Sequence, residues 1–248
     1  MKSKTRNVIL ISIAVVLLLI VVLCATVFTV KEVKLNFLDT YHTTTETQML
    51  NDVNESGAIS MGTSMFLLNK SKMTSAIESN VPYIRIIGLE AEFPNVLKIN
   101  CVERKDCFSV RISNTSYAIL DKYFKTLKIT NASALPRINI SDNSLEVGQF
   151  ATGDDLVYYE MLVQAFDSVG TYENAINTYF DSIELVGTND GYNFILINDD
   201  SNIIVNVKDV DIRLNDKIRK LISNWGLIAN NKVINVYMHN NEVVIEEN

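Results

Sequence analysis

Hydrophobic and polar positions follow three different patterns along the chain. From Val8 to Val30 the residues are apolar with no charge among them. At about 1.5 Å rise per residue such a run is long enough to cross a bilayer core, and it predicts one transmembrane helix over residues 8–30. Past Lys31 the pattern alternates. Val33, Leu35 and Phe37 interleave with charged or polar neighbours, as in a half-buried strand. Thr45 to Gln48 forms a capping box that opens a short helix carrying Met49, Leu50 and Val53. "SMGTSMFLL" reads as a turn into an apolar plug, and Asn69 as the N-cap of a second helix on which Met73 and Ile77 share a face. Ile87, Leu89, Ala91 and Phe93 then line one side of a strand. Pro94-Asn95 breaks it, and Leu97, Ile99 and Cys101 resume the alternation. The order strand, helix, helix, strand, strand predicts two helices packed on one face of a small sheet.

From Phe108 onward the third pattern sets in. "CFSVRI" and "SYAILD" read as short strands, and "KTLKITNASALPRINISDNS" as irregular and polar. A helix after Asp155 carries an apolar stripe of Leu156, Tyr159, Leu162, Val163, Phe166 and Val169. "SIELVG", "YNFILI" and "NIIVNV" read as strands separated by turn signals. A last helix near Asn215 to Trp225 precedes a hairpin of "KVINVYM" and "EVVIE". Trp225 lies on an apolar helical stripe and is expected in the core rather than at a binding hot spot.

Composition gives these elements a setting. With 48% hydrophobic and 21% charged residues, the 248-residue chain has ample material for a packed core. Lys2, Lys4 and Arg6 precede the apolar run without an acid. The positive-inside bias therefore predicts a cytoplasmic tail over residues 1–7 and everything after Lys31 outside, a single-pass type II arrangement. A cleaved signal peptide would have a shorter apolar core and a better small-x-small site than "LCATVF". Cys24 is expected as a buried membrane cysteine. All 29 acids but only 19 of the 22 bases follow the apolar run, a formal charge of −10 that disfavours nucleic acid and anionic lipid. Cys101 and Cys107 either pair or, as Cys101's place in an alternating strand favours, remain two buried thiols.

Chemistry is hard to find. His42 and His239 stand far apart in turn-like contexts, and no H-E-x-x-H, G-x-S-x-G, C-x-x-C or phosphate-cradling glycine loop occurs. Asp154-Asp155 and Asp199-Asp200 fit a helix start and a hairpin turn better than a carboxylate pair or a calcium loop. No catalytic, cofactor-binding or metal-binding residues are expected, and no small-molecule substrate. A protein that works by recruiting others is what remains, and exposed strand edges supply the physical means.

Three stretches carry a resemblance. "GTSMFLL" is a glycine followed by an apolar plug. "PYIRIIGLEAEFPNVLKINCVERK" places Pro82, Ile84, Ile87, Leu89, Pro94, Leu97, Ile99, Glu103 and Arg104 at a distinctive spacing. "NDKIRKLIS" is followed by "VINVYMHNNEVVIE". In these the chain resembles the FtsQ/DivIB family of bacterial cell-division proteins. It departs from the family at Glu90-Ala91, at Asp106-Cys107-Phe108 and at Asn235.

The resemblance implies an α+β fold: the transmembrane helix, a POTRA-like β-α-α-β-β domain over residues 31–104, and a β-rich FtsQ-type β domain over residues 105–246 with an antiparallel sheet and two or three helices. It implies a non-catalytic scaffold at the division septum, meeting FtsL-like and FtsB/DivIC-like partners and a septal penicillin-binding protein to control septal wall synthesis. A membrane-held POTRA sensor or secretion accessory is the alternative. Partner binding by strand addition falls on Val233, Asn235, Val236, Tyr237, Met238, Val243 and Ile245. Tyr237 is either an anchoring side chain or a shield for the sheet edge. Val236→Pro is expected to weaken binding more than folding, and the charged cluster Glu103 to Asp106 to act as a hinge.

Overall fold

The apolar run does not stay in one element. The computed structural model describes residues 2–39, 44–142, 144–170, 175–189 and 191–247, with the backbone alone for residues 2–7, 24, 25 and 175. Helix α1 (Lys2–Thr26) ends four residues before the run does. Thr29 forms a bridge to Ser64, and Val30 is fully buried in the core that follows. The described side chains of α1 over residues 8–23 are exposed. Among the described residues no helix is long and apolar enough to cross a membrane, which corrects the transmembrane helix expected over residues 8–30. The single-pass localisation derived from it falls with it. The side chain of Cys24 and the whole of His42 lie outside the described residues.

Contacts divide the chain into two units, Met1–Arg104 and Lys105–Asn248. In the first, β1 (Glu32–Phe37), α2 (Glu46–Glu55), α3 (Lys70–Asn80), β2 (Ile84–Glu92) and β3 (Val96–Glu103) follow in the predicted order. The sheet order is β1-β3-β2, with β3 parallel to β1 and antiparallel to β2. Both helices begin at the expected caps. Thr45 Oγ1 accepts from Gln48 N at 3.3 Å and Asn69 Oδ1 from Lys72 N at 3.0 Å. Met49, Val53 and Ile77 of the helices meet Val33, Leu35, Leu97, Ile99 and Cys101 of the sheet.

One alternation fails. A bulge between Ile86 and Gly88 shifts β2 by one position, so Ile86 packs on the core while Ile87 is 52% exposed. Phe93 is likewise 56% exposed, meeting Phe28 edge-on and Phe66 at a tilt instead of entering the core.

The division between the units falls inside the charged cluster that ends β3, between Arg104 and Lys105, and the first two members of that cluster are buried with partners in the first unit. Glu103 Oε1 accepts from Thr44 N and Oγ1, at 3.1 and 2.6 Å. Arg104 Nη2 donates to Glu78 Oε2 at 2.9 Å and Nε to the Ile84 carbonyl at 3.2 Å. Glu78 in turn accepts from Ile86 N at 2.7 Å, beside the bulge.

The second unit is built on one sheet of nine strands with order β12-β11-β10-β9-β8-β7-β4-β5-β6. Its elements are β4 (Phe108–Arg111), β5 (Tyr117–Leu120), β6 (Thr126–Thr130), β7 (Arg137–Ile138), α4 (Leu156–Asp167), α5 (Ala175–Tyr179), β8 (Ser182–Thr188), β9 (Gly191–Asn198), β10 (Ile203–Val207), α6 (Leu214–Asn224), β11 (Val233–His239) and β12 (Glu242–Glu247). The sheet is mixed rather than antiparallel: β7 runs parallel to both β4 and β8, and β11 parallel to β10. Parallel neighbours need a crossover, and the helices supply it, α4 and α5 between β7 and β8, α6 between β10 and β11. The stripe read on α4 buries Tyr159, Leu162, Val163 and Phe166, with Leu156 and Val169 half-buried beside them. Trp225 is half-buried and packs edge-on against Phe180 and Tyr179, at the margin of the core rather than inside it.

Replacing Arg104 by Met removes a buried guanidinium from both the Glu78 carboxylate and the Ile84 carbonyl. The first unit should lose about 3 kcal/mol of stability. In a urea titration, circular dichroism should show an earlier first transition while Trp225 fluorescence, reporting the second unit, keeps its midpoint.

Candidate functional site

The last two strands owe their position to a buried lysine and a two-residue turn. Leaving β10, the chain turns through Asp209, whose φ of 52° is left-handed, toward α6. Lys217, fully buried on α6, donates from Nζ to the carbonyls of Lys208 at 2.6 Å and Asp209 at 2.7 Å. Burial pulls its pKa below the usual lysine value, and Asp209 and Asp211 oppose that shift. The helix so fixed packs on α4 and over β11 and β12. At the far end Asn240 and Asn241, with φ of 46° and 65°, form the tight reversal into β12. Arg213 Nη1 holds that reversal by donating to the Asn241 carbonyl at 2.9 Å.

The backbone bonds on β11 decide which groups of β12 are free. Lys208 N donates to the Val236 carbonyl and Ile204 N to the Lys232 carbonyl, both at 3.0 Å. Even-numbered residues of β11 therefore turn their backbone toward β10 and odd-numbered ones toward β12. The pairs Asn235 with Glu246 and Tyr237 with Val244 are then the hydrogen-bonded ones. By the same alternation Val243, Ile245 and Glu247 direct their N–H and C=O groups away from β11. β12 ends the sheet, with no strand beside it among the described residues. The result is a short edge with unpaired main-chain donors and acceptors.

All seven residues expected at a partner site fall in β11 and β12, but not equivalently. Val236 is fully buried and Asn235 only 8% exposed, both in an interior strand. A proline at Val236 would remove a donor aimed at β10, so its first effect falls on the sheet itself and not on the free edge. Val233 stands at the start of β11. Met238 pairs with Val243, on the side of the sheet where Val243 and Ile245 pack on the core. Tyr237 lies on the opposite side, its hydroxyl 3.4 Å from Glu246 Oε2 and the Lys208 ammonium 5.4 Å from its ring centroid. Partial desolvation, then the Glu246 carboxylate, push its pKa up. The region read from the sequence as the partner edge, residues 233–238 and 242–245, stops short of Glu246 and Glu247, although their place on the terminal strand was available as the signal.

Other candidates serve the fold. Asp155 accepts from Ser141 N and Oγ, both at 2.7 Å, and neighbouring Asp142 accepts from the backbone N–H groups of Ser144 and Thr152, which hold its pKa down at about 2. Among the described residues no group of three or more His, Cys, Asp or Glu is placed to hold a metal.

Residues 43–104 match the family described as the POTRA domain, FtsQ-type. The matched residues lie within the first unit and hold α2, α3, β2 and β3, which gives that part of the chain the class of a POTRA domain. The match bears out the resemblance to the FtsQ/DivIB family of cell-division proteins, which are generally non-catalytic. No curated protein matches the chain.

Cys101 and Cys107 are both free and buried, and burial pushes each thiol pKa up to about 12. Since the thiolate is the reactive form, neither should react with a disulfide reagent at pH 8 in the folded Cys24→Ser variant. Both should react on unfolding, which counting released thiol chromophore in the absence and presence of guanidinium will check.

Proposed function

We propose that the chain is a non-catalytic scaffold of bacterial cell division whose second unit, as an FtsQ-type β domain, captures division partners on the free edge of β12. Partners of the FtsL and FtsB/DivIC kinds, with a septal penicillin-binding protein, are what this role calls for, and control of septal wall synthesis is its outcome. The observation that carries the reading is the pairing of an FtsQ-type POTRA domain with a sheet whose last strand leaves backbone groups open. An incoming strand would complete those groups, while the side chains of Val243 and Ile245 on one face and Val244 on the other give it selectivity.

Proline tests the edge directly, because its missing N–H matters only where that N–H is used. Ile245→Pro removes a donor aimed at the free side. It should leave the circular dichroism of the second unit intact and lower recovery of the DivIC-like partner about tenfold, the weight of roughly one hydrogen bond. Val236→Pro should instead unfold the second unit. A labelled copy should gather at the division site of dividing cells. Wild-type partner recovery with a folded Ile245→Pro variant would move the site elsewhere, and copurification with a secretion channel alone would favour the accessory role.

A further inference from the structure

We infer that the occupant of the β12 edge is an extended protein segment in which three apolar or small residues are flanked on both sides by lysine or arginine. This rests on the edge reading above and adds the chemistry of the partner. Along β12 the sequence is Glu242, Val243, Val244, Ile245, Glu246, Glu247. Its acids stand at the two ends and its apolar residues in the middle. Residues directly opposite across a strand pair share a face and lie about 5 Å apart at Cβ, so each position on β12 selects the one facing it.

Two features make the end carboxylates available. Among the described residues Glu242 and Glu246 have no cationic partner within ion-pair distance, whereas Glu247 is taken by Lys232 at 3.8 Å. Arg213, the cation that holds the nearby turn, is itself paired with Asp216 at 2.7 Å. Glu242, Val244 and Glu246 share the face opposite the core, and Tyr237 and Asn235 continue that face on β11. The cross-sheet row is therefore Asn206, Asn235, Glu246, and then the new strand. A carboxylate on the incoming strand would face Glu246 as a like charge, which destabilises a strand pair. A lysine or arginine there would close the row with an opposite charge. Val243 and Ile245, half-buried against the core, extend its apolar side to the edge and favour apolar residues opposite them.

The probe is a fluorescein-labelled peptide, Lys-Lys-Val-Thr-Val-Lys-Lys, whose symmetry serves either strand direction, with Glu-Glu-Val-Thr-Val-Glu-Glu as its counterpart. Anisotropy titration of the full chain at low salt should show the basic peptide binding at least about tenfold more tightly than the acidic one, with the gap narrowing at high salt. Amide exchange should slow at Val243, Ile245 and Glu247, the residues whose N–H groups face outward, and not at Glu242, Val244 and Glu246. In the Glu242→Lys/Glu246→Lys variant, its fold checked by circular dichroism, the preference should reverse. Equal protection of the β12 amides by both peptides would leave the edge as a docking strand and overturn the charge assignment. Binding of the basic peptide without protection at β12, a general attraction to an acidic surface, would overturn both this inference and the edge reading. Division-site recruitment of a labelled copy is unaffected by either result.

Discussion

The parallel pairing of β10 with β11 is the constraint on which the far end of the second unit depends. A hairpin there would have made β11 antiparallel and needed no helix. A parallel neighbour requires the chain to travel the length of the sheet and return, and α6 is that return path. Its placement is fixed from inside by Lys217. Burying an ammonium is unfavourable, and here the two carbonyls it meets belong to the turn from which the crossover starts. The same contact that satisfies the lysine thus anchors the helix, and the helix covers the strands that follow. β12 is left as the terminal strand by topology, not by any property of its own sequence.

The first unit solves a similar problem with opposite means. Its sheet also contains a parallel pair, β1 with β3, bridged by two helices and β2. What seals it is a charged interaction at the end of β3. Arg104, Glu78 and the backbone beside the β2 bulge form one network in which every partner is a different element. A buried ion pair of this kind contributes little net stability, but it penalises any arrangement in which α3, β2 and the end of β3 are not all in register.

Much of the fold was legible because its helices are amphipathic and its interior strands alternate. The stripes on α3, α4 and α6 and the caps at Thr45 and Asn69 are local signals, set within a turn or two. The β-α-α-β-β order of the first unit followed from them. What escaped had a physical reason in each case. β7 has two residues and no periodicity to read, and β6 is an edge strand whose Ile129 faces solvent. Because β7 was missed, the parallel insertion it makes was missed, and the sheet was expected antiparallel. The bulge at Ile86 to Gly88 inverts an alternation that looked regular. The apolar run up to Val30 was read as one helix because hydropathy does not mark where a helix stops and a packed core begins. Of the candidate site, the hairpin was legible from its pattern. Which of its strands is interior and which is the edge was not, since that is decided by strands distant in sequence.

The turn at Asn240 and Asn241 carries a consequence for the way this surface can vary. Side chains on a strand alternate with a period of two, so the length of that turn sets which face each β12 residue occupies. With both asparagines in left-handed conformations, the reversal places Val243 and Ile245 inward and Glu242 and Glu246 outward. One residue inserted there would exchange the two sets, driving carboxylates toward the core and presenting a greasy stripe to solvent. Point changes on β12 can retune the surface gradually, whereas the number of residues in the turn behaves as a parity bit. Drift in composition is tolerable there and drift in length is not.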